Sequence, residues 1–249
     1  MTNRDALDRY LVDVLEVGKF ADYCPNGLQV EGRPEIRKVV SGVTASLALI
    51  EAGAAAGADA LLVHHGIFWQ GQDVRLVGWR YRRVAALMRA GLSLFAYHLP
   101  LDAHRTLGNN AQWGRRLDFE VEQVLGEQGL LFVGPVGPMS SAADLAALVT
   151  ERLGRAPVLV PGDGRPLRRV AWCSGGAQGQ FELAIGAGAD AYLTGEISEP
   201  QAHLARETGV AFLACGHHAT ERLGAAALGE HVAAQFDLEH EFIDIDNPA

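Results

Sequence analysis

Apolar residues fall along this chain in short, nearly unbroken runs, separated by stretches of small and polar residues. The runs Val39-Val40-Ser41-Gly42-Val43, Leu61-Leu62-Val63, 92–97, 170–174, Tyr192-Leu193-Thr194 and 210–215 are too short for helices. They read as strands buried on both faces, the mark of a parallel sheet. Between them, 47–56, 82–89, 180–187 and 199–207 have the composition and spacing of helices, and Gly91 and Gly209 stand where the second and fourth should end.

This strand-helix-strand-helix-strand order occurs twice, from Lys38 to Tyr97 and from Arg169 to Cys215, and the tetrapeptide Gly-Ala-Asp-Ala recurs at 57 and 188 after an alanine-rich helix. Right-handed crossovers place such helices over the faces of a mostly parallel sheet. The expectation is an α/β protein of two similar lobes, built from an internal β-α-β-α-β repeat, with a functional site between them. A glycine- and proline-rich stretch at 126–166 holds a further helix at 141–153, capped by Ser140 or Ser141. It sets the expected boundary near Gly126, giving lobes 1–125 and 126–249.

Composition narrows the function. With 49 % hydrophobic and 20 % charged residues the chain is ordered and globular, and its formal charge of -9 works against a dedicated nucleic-acid binder. Arg75, Arg80, Arg82 and Arg83 cluster on a helical stretch and read as a solvated face. No run approaches the roughly 18 apolar residues of a membrane span. Cys24, Cys173 and Cys215 lack the spacing of a thiolate metal site or a disulfide framework, as expected of a cytoplasmic chain.

In open α/β sheets chemistry gathers beyond the carboxyl ends of strands. Seven of the nine histidines, His64, His65, His98, His104, His203, His217 and His218, lie at or near such ends. Adjacent residues leaving a strand point to different sides, so His64 and His65 can serve different ions. His217 and Glu221 stand four apart, on one face of a helical turn, where an imidazole and a carboxylate can grip one cation. Asp102, in Tyr97-His98-Leu99-Pro100-Leu101-Asp102, is a hard ligand or else only a helix cap. His98 and His104 are outer ligands, proton carriers or partners of ligands, with His98 the nearer to its strand. Imidazoles with carboxylates suit zinc, manganese, iron or nickel better than calcium, and such a set can hold two ions for hydrolysis.

At Asn26-Gly27-Leu28-Gln29-Val30, Leu62-Val63-His64-His65-Gly66, Tyr97 to Asp102, Leu193-Thr194-Gly195-Glu196 and Gly216-His217-His218-Ala219-Thr220-Glu221, the chain resembles the NGG-interacting-factor-like dinuclear metal-centre proteins of hexameric type, also labelled GTP cyclohydrolase 1 type 2 homologues. The resemblance implies that His64, His65, Asp102, His217 and Glu221 ligate two divalent ions, with Glu221 bridging. It also implies a toroidal homohexamer with the metal sites facing an internal cavity, and a small-molecule, nucleotide-like substrate. The activity implied is opening of the GTP imidazole ring by metal-activated water, with His98 or Glu196 moving protons. A metal-binding or regulatory hexamer with little turnover, and a two-metal phosphoesterase, are the alternatives. The Gly-Ala-Asp-Ala offset carries His65 onto Glu196, a base or an outer partner of a ligand. The Asn26 to Gln29 turn serves either the substrate or the closure of the N-terminal helix. Gly175-Gly176 and Gly186/Gly188 lack the lysine and spacing of a phosphate-binding loop.

Overall fold

Strands Lys38–Thr44, Ala60–His65 and Ser93–Ala96 pair in parallel, with helices Leu47–Ala55 and Gly78–Ala90 in the crossovers. The second copy repeats this with Leu167–Trp172, Ala191–Thr194 and Ala211–Ala214, crossed by Phe181–Gly186 and Glu199–Thr208. The computed structural model describes residues 1–249 apart from residue 138.

The recurring tetrapeptide has a physical cause. Gly57 and Gly188 both take φ of 73°, a left-handed conformation that favours glycine. The aspartate two residues later then closes the start of the neighbouring strand. Asp59 Oδ2 accepts the amides of Arg37 and Lys38 at 2.8 and 3.2 Å, and Asp190 Oδ2 accepts those of Arg168 and Arg169 at 2.9 and 3.1 Å. Both copies thus satisfy the same orphan backbone donors in the same way.

The chain divides into two units, residues 1–108 with 222–246 and residues 109–221 with 247–249. In the first, the sheet order is Glu239–Phe242, Lys38–Thr44, Ala60–His65, Ser93–Ala96 and Gly27–Val30, parallel but for the last strand. One face packs Leu49, Ile50, Val84 and Leu87 from the crossover helices; the other packs Leu7, Leu11 and Leu15 with Leu228 and Val232. Gly42 brings helix and strand close, since a Cβ there would meet Leu49 at 2.6 Å.

In the second unit the order is Gln123–Leu125, Leu131–Met139, Leu167–Trp172, Ala191–Thr194, Ala211–Ala214 and Val158–Val160, antiparallel at both flanks of the parallel centre. Phe181, Tyr192 and Phe212 fill its core. Helix Ala142–Leu153 is capped by Ser141, whose Oγ accepts the Asp144 amide at 3.2 Å.

The expected lobe boundary at 125/126 falls inside the second unit. Asn110 is bonded into it: Trp172 Nε1 donates to its carbonyl at 2.9 Å, and its Oδ1 accepts the Ser174 amide at 2.7 Å. The strand Glu239–Phe242 belongs to the first unit although it is polar, because it pairs beside Lys38–Thr44 and His240 Nε2 bonds Ser41 Oγ at 2.8 Å. Arg80 departs from the solvated face expected of its cluster. It is buried and bonded to Gln72 Oε1 at 2.7 Å and to the Asp73 carbonyl. Among the described residues no helix is long and apolar enough to cross a membrane.

Candidate metal centre

Strand Ala60–His65 delivers two imidazoles at its carboxyl end. His64 is fully buried and its Nδ1 donates to the Tyr97 carbonyl at 3.0 Å, which fixes the tautomer and leaves Nε2 as the basic nitrogen. His65 Nδ1 bonds Thr44 Oγ1 at 3.1 Å. His98, just beyond strand Ser93–Ala96, donates Nδ1–H to Asp22 Oδ1 at 2.9 Å. The ligating atoms offered by His64, His65 and His98 lie within 4.8 Å of one another. Asp102 is buried on the short helix Leu99–Ala103, its Oδ1 3.5 Å from His64 Nε2. The first unit therefore gathers His64, His65, His98 and Asp102.

The second unit holds His217, Glu221 and Glu196. His217 opens the helix His217–Phe236, and Glu221 follows one turn later with its Oε1 3.2 Å from His217 Nε2. Glu196 accepts the other ring nitrogen, Nδ1, at 2.7 Å. Burial pulls the His217 pKa down, but the carboxylates of Glu221 and Glu196 outweigh it and push it up to about 9.

The first unit meets a chemical test for a metal site, with three imidazole donors close enough to share one ion. Metal-ligating histidines ordinarily engage their second nitrogen with a carboxylate, carbonyl or hydroxyl, and here four imidazoles do so through Nδ1. The family model described as Duf34/NIF3 (NGG1p interacting factor 3) matches residues 2–248. The chain belongs to the DUF34/NIF3 family.

Within that family, a Pseudomonas aeruginosa protein named GTP cyclohydrolase 1 type 2 homolog is 52 % identical over 245 residues, covering 97 % of this chain and 95 % of that one. A protein of the same name from Neisseria meningitidis serogroup B is 53 % identical over 237 residues, 95 % of each chain. The solved structure of protein ybgI, described as of unknown function, matches with a TM-score of 0.96 and 42 % identity over the whole of both chains. Reduced HcgD from Methanocaldococcus jannaschii, at 23 % identity and a TM-score of 0.83 over 99 % of this chain and 98 % of that one, shares the fold.

Further residues outside the ligand set build the site in this DUF34/NIF3 protein. Asp22 is one. Besides His98 it accepts the amides of Cys24 and Leu99 at 3.1 and 2.9 Å and the side-chain amide of Asn26 at 3.0 Å. Burial pushes its carboxyl up, yet these bonds, led by His98, outweigh that and hold it at about 2. The Asn26 to Gln29 turn is a brace. Asn26 Oδ1 accepts the His98 amide at 2.7 Å, and Gln29 Oε1 accepts the Ile67 amide at 2.9 Å, seated where a Cβ on Gly66 would clash with it at 2.3 Å.

Gly175 is another. Its φ is 66°, and a Cβ there would stand 2.1 Å from Glu221 Oε1 and 3.2 Å from His217 Nε2. The glycines that fail as a phosphate loop thus make room for an imidazole and a carboxylate. His104 holds its own loop together, its Nδ1 accepting the Thr106 and Leu107 amides at 3.3 and 3.0 Å. His203 lines a groove of about 550 Å³ with Phe181, Glu182, Glu199 and Glu207, a set that includes none of the candidate ligands. The amide of His218 donates to the Ala249 carbonyl at 3.3 Å.

Proposed function

We propose that this protein is a metal-dependent hydrolase in which His64, His65, Asp102, His217 and Glu221 would hold two divalent ions, zinc, manganese, iron or nickel. One observation carries the reading: the ligating atoms offered by His64, His65 and His98 lie within 4.8 Å of one another, and the Nδ1 of each ring is held by a hydroxyl, a carbonyl or a carboxylate. Ions so held polarise a substrate and lower the pKa of water toward neutrality. Asp22 keeps His98 aimed for proton exchange, and Glu196 keeps His217 in its ligating tautomer.

The substrate is a small molecule, and the names of the relatives direct the first assay at GTP, through opening of its purine ring. The protein works as a cytoplasmic homohexamer, which light scattering checks by mass. Metal analysis of the Mn- or Zn-loaded protein is expected to give two ions per chain, and fewer in His65→Ala and Glu221→Gln. One ion or none in the metal-replete wild type sinks the dinuclear reading. With both ions present, metal-dependent ring opening supports the cyclohydrolase activity. Cleavage of p-nitrophenyl phosphate alone favours a phosphoesterase, and no turnover of either favours a metal-binding or regulatory hexamer.

A further inference from the structure

Five rings of the first unit form one cluster that runs from the candidate ligands to solvent. The ring centroids of His64 and His65 are 4.5 Å apart, and His98 lies 5.1 Å from His64. Tyr23 and Trp69 stand edge-on to His98 at 5.0 and 5.1 Å and lie 5.6 Å from each other. Trp69 is half-buried and Tyr23 is 53 % exposed. A ring this exposed gains little from folding, yet its backbone is fixed. The Gln70 amide donates to the Tyr23 carbonyl at 2.7 Å, tying the Trp69 loop to Tyr23, and the flanking Asp22 is locked by its bonds to His98 and Leu99.

We propose that Tyr23 and Trp69 form a wall on which a planar nitrogen heterocycle, the reacting ring of the substrate, stacks. This rests on the dinuclear reading, since ions on His64 and His65 give the ring its reaction partner. A rigid pair of aromatic faces recognises a flat π system at low entropic cost.

Calorimetry on the metal-loaded protein tests this with guanosine, which carries the ring without phosphate, and ribose 5-phosphate, which carries phosphate without the ring. Guanosine is expected to bind, with ribose 5-phosphate unable to compete. Tyr23→Leu and Trp69→Leu should each raise its Kd about tenfold, while Tyr23→Phe keeps it within about twofold. Metal content should stay at the wild-type level in all three. Full metal occupancy without guanosine binding, or binding unchanged in both leucine variants, overturns the wall and leaves the metal site standing. Equal competition by ribose 5-phosphate also overturns it, as does a leucine variant that changes only the oligomer mass. Absence of ions from the replete wild type removes the dinuclear reading and this inference with it.

Discussion

Asp22 and His98 are 76 residues apart in sequence and 2.9 Å apart in space, Oδ1 to Nδ1. The same carboxylate accepts the Leu99 amide and the Asn26 side chain, so one residue fixes both the ring and the backbone turn that presents it. Replacing Asp22 by Ala would strand buried donors. Breaking such a pair costs about 3 kcal/mol, and urea unfolding at neutral pH is expected to show a loss of that order. A loss under about 1 kcal/mol would mean that water replaces the carboxylate at little cost.

Acid is expected to act in two stages. Burial lowers the His240 pKa against the pull of Glu230 and Glu241, so the unfolded chain takes up a proton near pH 6.5 while the folded chain resists it. The stability this supplies is complete above pH 6.5 and declines as pH falls below it. Asp22, held at about 2 against an ordinary 3.8, supplies stability that is complete above 3.8 and lost as pH falls toward 2. Urea midpoints across this range should show both slopes. His240→Gln should weaken the upper one alone, leaving the contribution of His104, whose pKa is also lowered by burial.

Gly175→Ala places a methyl group on a left-handed residue and against Glu221 Oε1. Backbone strain of about 1–2 kcal/mol should accompany a fall in metal affinity of about tenfold or more. Chelator competition reads the affinity and thermal unfolding the strain. Wild-type affinity in a folded Gly175→Ala protein would show that Glu221 moves aside freely.

Asp59→Ala and Asp190→Ala should behave alike, because each removes the acceptor for two amides at the start of a strand. A loss of about 1–2 kcal/mol is expected for each, and the double variant should give the sum, as independent sites do. A large loss in one and none in the other would break the physical equivalence of the two copies.

Much of the architecture is legible in the sequence, because parallel strands buried on both faces leave solid apolar runs that are hard to mistake. Lys38–Thr44, Ala60–His65, Ala191–Thr194 and Ala211–Ala214 are all of this kind. Strands whose hydrogen bonds outweigh their apolar burial leave no such trace. Glu239–Phe242 alternates exposed and half-buried residues, and only its pairing with Lys38–Thr44 reveals it. Similarly, His64, His65, Asp102, His217 and Glu221 stand out as ligand types at strand ends. Asp22, Asn26, Gln29 and Gly175 act on those residues through geometry, and composition does not distinguish them from turn residues.

The strand Glu239–Phe242 also imposes an order of events on synthesis. Until residue 242 has left the ribosome, the edge of Lys38–Thr44 that it covers stays open, along with the apolar surface awaiting Leu228 and Val232. Apart from residues 247–249, the second unit is complete by residue 221. A released chain truncated before residue 230 should therefore be cut by protease in its first unit and resist in its second. The half that is made first is finished last, and for that interval its exposed sheet edge is the part of the nascent chain most in need of a chaperone.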